Sequence, residues 1–211
     1  MVAMAFITVE GIEGCGKSTQ ARRLADAWEG PVILTREPGG TAIGRQIRAL
    51  LLGHEPAHLS PQAEALLFSA DRAQHVAEVV RPSLELGRTV ISDRYLDSSL
   101  AYQGYGRGLP LDALRSAATL ATGGLTPDVT VLVDVPVGVG LGRVRGRGGR
   151  DRMEAEAVEF HERVRTGFLE MAAREPARFL VVDGAGTPES VFDLLRAGLI
   201  PRLRGEGGAL R

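Results

Sequence analysis

The chain has 211 residues, 25 basic and 26 acidic side chains, a net charge of −1 and 44% hydrophobic residues; one soluble globular domain is expected, since about 150 residues per domain is a soft prior and α/β folds run longer. No stretch approaches the roughly 18 uninterrupted apolar residues of a membrane span, and the balanced charge argues against bulk nucleic acid as the main partner, so neither membrane nor nucleic acid is an expected ligand. Of the basic residues only Lys17 is a lysine, which excludes chemistries that need another one: a guanine-reading N-K-x-D box, a Ser-Lys pair, a Schiff base elsewhere, or a protein-kinase strand lysine.

Residues 1–10 show no positively charged leader region and no cleavage-type site, so a cytoplasmic address is expected. Residues 5–10 (A-F-I-T-V-E) read as a strand stopped by Gly11, and the spacing of Ala21, Leu24, Ala25 and Trp28 after Lys17 is helical. Between them Gly11-Ile12-Glu13-Gly14-Cys15-Gly16-Lys17-Ser18 satisfies G-x-x-x-x-G-K-[ST] in the strand-to-helix context the motif requires. Glycines let backbone N–H groups curl around phosphate oxygens, and the helix N-terminus adds positive potential. Lys17 reaches the β/γ phosphates and Ser18 ligates magnesium. Cys15, the one cysteine, is either a small residue in a tight loop or a thiol activated by the helix N-terminus.

Further along, residues 31–35 read as a second strand, followed by the turn R-E-P-G-G and a helix through Ile43, Ile47, Leu50 and Leu51. One long helical pattern covers residues 61–86, and residues 89–93 (T-V-I-S-D) form a third strand buried on both faces. Helices near 98–102 and 111–121, a fourth strand at 129–135, and a helix opened by Pro136 at its first position come next. Helix 154–174, strand 178–183 and helix 188–203 complete the pattern, with a disordered tail expected at 205–211. The fold class is therefore α/β: one P-loop domain of five parallel strands covered by helices on both faces, with ligands beyond the carboxyl ends of the strands.

Those strand ends carry the remaining chemistry. Asp93 offers a carboxylate to magnesium or its waters, and Arg94 a guanidinium to an acceptor phosphate. Asp134 competes for the metal role, but Asp93 is preferred because Arg94 beside it makes a substrate site. Residues 143–153 contain Arg143, Arg145, Arg147, Arg150, Asp151 and Arg152 among glycines. That density suits a mobile lid over a polyphosphate, the alternative being a solvated basic loop or an RNA-binding patch.

The segments E-G-I-E-G-C-G-K-S-T, T-R-E-P-G-G-T at 35–41, L-F-S-A-D-R at 67–72, D-R-Y-L-D-S-S-L-A-Y-Q-G at 93–104 and D-R-M-E at 151–154 resemble thymidylate kinases in spacing and order, over about residues 5–204. The resemblance implies transfer of the γ-phosphoryl group of ATP to dTMP, with Mg2+, on a nucleoside-monophosphate-kinase fold usually found as a homodimer. It implies an ATP site of Gly11, Ile12, Glu13, Gly14, Cys15, Gly16, Lys17, Ser18 and Thr19 with Arg143. For dTMP it implies Phe68 stacking on thymine, Arg72 at a base carbonyl, and Ser99 and Gln103 at the base. Arg48 and Arg94 would clamp the phosphate, Glu13 would meet the 3′-hydroxyl or a metal-bound water, Glu37 would shape that pocket, and Tyr102 would fill the space of a 2′-hydroxyl. Lys17, Asp93, Arg94, Arg145, Arg147 and Arg152 are the implied catalytic set, with Ser18 and Asp93 at the metal. Arg150 has no clear counterpart. Gly14 stands where some members carry an arginine, so this chain is similar to the bacterial kind with catalytic arginines in the lid.

Two other readings compete. A different small-molecule P-loop kinase would share the phosphate loop, but two arginines for an acceptor phosphate favour a monophosphate. An ATP-hydrolysing switch would leave Phe68, Arg72 and Tyr102 unexplained.

Overall fold

Apolar β-branched runs dictate the centre of the molecule. The computed structural model describes residues 4–53, 59–146 and 152–203; the expectations for Arg147, Arg150, Asp151 and the tail at 205–211 lie outside them. Five strands, β1 (Phe6–Glu10), β2 (Val32–Arg36), β3 (Thr89–Asp93), β4 (Val129–Asp134) and β5 (Phe179–Asp183), form one parallel sheet in the order β2-β3-β1-β4-β5. Every residue of β1 is buried, as are the first four of β3 and the first five of β4, because helices cover both faces. Val9 pairs with Asp93, and Arg36 pairs with Asp93 from the other side, so the carboxyl ends of three strands meet at one crevice. There β1 is flanked by β3 and β4, the switch point at which open α/β sheets bind ligands.

The helices are α1 (Lys17–Asp26), α2 (Ala42–Leu52), α3 (Pro61–His75), α4 (Arg81–Glu85), α5 (Leu96–Ser99), α6 (Leu111–Thr122), α7 (Val137–Arg145), α8 (Val158–Arg174) and α9 (Pro188–Leu199). Three begin on hydroxyl caps: Thr41, Ser60 and Thr187 accept from backbone N–H groups of the first turn.

The expected helix 61–86 is divided: Val76–Val80 is a π-helical turn between α3 and α4. The expected helix near 98–102 is longer, since α5 continues into a π-helical segment, Leu100–Gly106. Such widened turns re-aim side chains and recur at functional sites; here the second carries Tyr102 and Gln103. Pro136 caps α7 from outside the helix rather than occupying its first turn. Arg143 and Arg145 sit in the last turn of α7, so the arginine run starts inside a helix, and α8 begins at Val158, not 154. No helix among the described residues is long and apolar enough to cross a membrane.

Candidate active site

The phosphate loop follows β1 directly. Gly11 and Gly14 have φ of 141° and 70°, and a Cβ at Gly14 would lie 2.0 Å from the Gly140 carbonyl oxygen. Only glycine fits, which accounts physically for the missing P-loop arginine. No side chain among the described residues caps α1, whose N-cap is Gly16, so its first N–H groups remain available to an anion. Lys17 Nζ rests on its own loop, donating to the Ile12 carbonyl at 3.2 Å. Cys15 is 2% exposed, and burial pushes its thiol above the usual range, so it acts as a small packed residue and not as a thiolate.

A cavity of about 520 Å³ opens from this loop. It is lined by Glu13, Gly14, Cys15, Gly16, Lys17, Ser18, Thr19, Glu37, Arg48, Phe68, Asp93, Arg94, Ser99, Tyr102, Gln103 and Arg143, so most of the expected site converges on one space. Ser18 Oγ donates to Asp93 Oδ2 at 2.5 Å, and Asp93 Oδ1 is buried without a partner among the described residues. Asp134 is the poorer metal candidate because Arg165 closes it with two hydrogen bonds of 2.7 and 2.8 Å. No group of three or more His, Cys, Asp or Glu among the described residues could hold a metal. A cation at Ser18 and Asp93 would therefore draw its other ligands from water and phosphate, the habit of Mg2+.

Arg94 is the one non-glycine residue with positive φ among those described, at 75°. Surrounding bonds must hold such a conformation. Glu10, at the end of β1 and fully buried, accepts from the Tyr95 N–H at 2.7 Å and the Ser98 hydroxyl at 2.5 Å. Ser98 Oγ in turn accepts from Arg94 NH1 at 2.9 Å, and Arg94 NH2 donates to Glu13 Oε1 at 2.9 Å and Tyr102 Oη at 3.0 Å. Burial by itself would favour loss of the Arg94 charge, but Tyr102, Glu13, Glu10 and Asp93 outweigh it and hold the guanidinium above its ordinary range. Burial and then repulsion by Asp97 push Glu10 up to about 8. Glu13 goes the other way, to about 2: burial would raise it, but His161, Arg94, Lys17 and Tyr102 prevail. His161 Nδ1 lies 3.2 Å from Glu13 Oε2.

On the opposite wall, Phe68 of α3 is half-buried and faces the cavity. Arg72 is 2% exposed and lies behind the lining. Its Nε donates to Glu37 Oε2 at 2.8 Å, and NH2 donates to the Tyr95 carbonyl and Ser99 Oγ at 2.9 and 3.0 Å. NH1 is buried with no partner among the described residues. Glu37 is also braced by His75 Nδ1 at 2.9 Å. Arg48 NH1 donates to the Pro38 carbonyl at 3.0 Å. Arg143 bridges the Gly14, Gly184 and Ala185 carbonyls, tying the phosphate loop to the turn after β5.

Two arginines of the run lie away from the phosphate loop. Arg145 lines a separate depression of about 210 Å³ with Glu154 and Glu156. Arg152 is turned to α2 and α3, where Nε donates to the Leu51 carbonyl at 2.8 Å and NH2 lies 2.6 Å from Glu64 Oε2. Neither lines the main cavity in this structure; Arg152 is paired with the buried carboxylate of Glu64. Sequence reasoning does not single out Glu10, Ser98, Glu64 or His161. An acid ending an apolar strand is a usable signal for Glu10; Glu64 and His161 have partners only through the tertiary fold.

A phosphate loop at the switch point of a parallel sheet, facing an arginine-bearing subsite across one cavity, defines a P-loop nucleoside monophosphate kinase. The thymidylate kinase family model matches residues 9–194. Relatives named thymidylate kinase include one from Desulfovibrio desulfuricans, 49% identical over 97% of this chain and 99% of its own, and one from Carboxydothermus hydrogenoformans, 56% identical over 89% and 92%. The crystal structure of thymidylate kinase from Ehrlichia chaffeensis superposes with a TM-score of 0.75 at 32% identity, covering 94% of this chain and 99% of that one. The chain belongs to the thymidylate kinase family.

Proposed function

We propose that the protein transfers the γ-phosphoryl group of ATP to the phosphate of dTMP, giving ADP and dTDP. The observation that carries this reading is one cavity lined by the phosphate loop, Arg94, Arg48 and Phe68, with the Arg72 guanidinium behind its wall. Lys17 and the loop N–H groups bind the donor phosphates, with Gly11, Ile12, Thr19 and Arg143 beside them. Arg94 and Arg48 hold the acceptor phosphate, and Glu13 meets the sugar. Glu37 fixes Arg72, Ser99 and Gln103 approach the base, and Tyr102 occupies the room a 2′-hydroxyl would need. Ser18 and Asp93 would hold Mg2+, which supplies charge neutralisation at the β and γ phosphates. Arg145, Arg147 and Arg152 are assigned to the transferring group on closure of the lid, a movement that requires Arg152 to leave Glu64.

Incubation with ATP and each nucleoside monophosphate in turn tests the reading. dTMP is expected to be the preferred acceptor, and equal rates on dTMP and UMP would sink the assignment of Tyr102. Phe68→Ala should raise the KM for dTMP by about tenfold or more and leave that for ATP nearly unchanged, because a lost stacking face weakens only the acceptor.

A homodimer and a cytoplasmic location complete the proposal. Apolar side chains exposed on three helices, Leu50 of α2 at 60%, Leu66 of α3 at 63% and Leu120 of α6 at 88%, support the first. The substrates support the second, both being metabolites of the cytosol. A monomer in sedimentation at micromolar concentration would overturn the dimer, and recovery in the membrane pellet the location.

A further inference from the structure

Glu64, Phe68 and Arg72 are spaced by four along α3 and share one helix face. Ser99 and Gln103, again four apart, face them from the segment that joins α5 to Leu100–Gly106. Two polar rungs cross between these faces, one on each side of Phe68. Arg72 NH2 donates to Ser99 Oγ at 3.0 Å, and Gln103 Nε2 donates to Glu64 Oε1 at 2.9 Å. Phe68, Ser99 and Gln103 line the cavity, while Glu64, 1% exposed, stands behind it.

Glu64 is built as an acceptor. Arg107 Nε and NH2 donate to its two oxygens at 3.2 and 3.1 Å, and Arg152 NH2 lies 2.6 Å from Oε2. Burial by itself would raise its pKa, yet Arg107, Gln103 and Arg152 hold the carboxyl below its usual range, so it is ionised and has no proton to donate. The Gln103 amide can then face it only with its NH2 end, since the reverse orientation sets a carbonyl oxygen against a carboxylate oxygen. That leaves Gln103 Oε1 as the end available to a ligand. On the other side of Phe68, Arg72 NH1 is a donor with no partner among the described residues.

We propose that Glu64 is a specificity-determining positioning residue: by fixing the orientation of the Gln103 amide it sets an acceptor beside the Arg72 donor. That pair matches the N–H and C=O edge of a pyrimidine dione and opposes the ring N and NH2 edge of cytosine. The inference rests on the reading of this cavity as a nucleotide acceptor site. A mismatched edge leaves donor facing donor and acceptor facing acceptor in a desolvated pocket, where rejection is strongest.

The test measures kcat/KM for dTMP and for dCMP in the wild type, Glu64→Gln, Gln103→Leu, the double variant and Arg107→Met. A neutral amide at position 64 can donate or accept, which frees the Gln103 amide to turn over. The dTMP:dCMP ratio is therefore expected to fall by about tenfold or more in Glu64→Gln, chiefly through KM, and to fall equally in Gln103→Leu and in the double variant. Arg107→Met removes as much pairing from Glu64 but keeps the carboxylate, so it should lower the melting temperature and preserve the ratio. That arm separates orientation of the amide from a merely structural role. An unchanged ratio in Glu64→Gln, or a wild type that accepts dCMP as well as dTMP, overturns the proposal. If Glu64→Gln does not fold, an unchanged ratio in Gln103→Leu overturns it equally. A wild type inactive on dTMP but active on another monophosphate would instead fault the assigned function.

Discussion

Lys17→Met is expected to abolish phosphoryl transfer while the fold is retained. The chain has a single lysine, and it stands at the head of α1, where charge moving toward the β–γ bridge of a nucleotide would need a cation. In this structure the hydrogen bond of its Nζ among the described residues goes to a carbonyl of its own loop, so the substitution costs the fold about 1 kcal/mol. The cost in the transition state is larger, about 2 kcal/mol or more, as for other charged donors aimed at developing charge. Lys17→Arg should fail as well, since a planar fork does not replace a point charge in a loop closed around phosphate. Single-turnover rates with a thermal melt beside them decide the matter; a well-folded variant with near-normal turnover would remove Lys17 from the site.

Arg94→Gln is expected to lower kcat/KM for dTMP by about 10³-fold or more, with the affinity for ATP nearly unchanged. Arg94 is held in a left-handed backbone conformation by Val9, which accepts from its N–H, Ser92, which donates to its carbonyl, and Glu10, which accepts from the following N–H, while Ser98, Glu13 and Tyr102 take its guanidinium. A site that spends strain to aim one cation is preorganised for charge on a ligand. Ser98→Ala removes one contact of the guanidinium and should cost less, about tenfold. Steady-state kinetics and calorimetric titration with ADP separate the effects. A loss below tenfold in Arg94→Gln would move the acceptor phosphate to Arg48.

How much could be read in advance differs from residue to residue. The phosphate loop was legible because its chemistry is local: backbone N–H groups, glycines at positive φ, a lysine and a serine all lie within eight consecutive positions. Strands were legible from their continuous apolar runs, and their parallel direction, though not their order in the sheet, followed from alternation with helices. Asp93 and Arg94 were legible as a pair at a strand end; Asp93 borders the cavity, whereas Asp134 does not and is paired with Arg165, 31 residues further on. The lid arginines were legible as a composition but not as contacts, since the direction Arg152 takes depends on Glu64, a buried carboxylate of α3.

By itself, then, the sequence determined the element order, the α/β class, the phosphate loop and the family resemblance, all of which rest on short-range patterns of apolarity, glycine and charge. Only the tertiary structure decided which residues hold those in place. Glu10 reaches Ser98 across 88 residues, and Glu64 reaches Gln103 across 39. His161 reaches Glu13 from α8. The widened turns at Val76–Val80 and Leu100–Gly106 belong to the same class, because they show no break in helical periodicity. The physical reason is common to all of them. A buried polar group is stabilised only by a partner within about 3 Å, and sheet order and helix packing, not position along the chain, choose that partner.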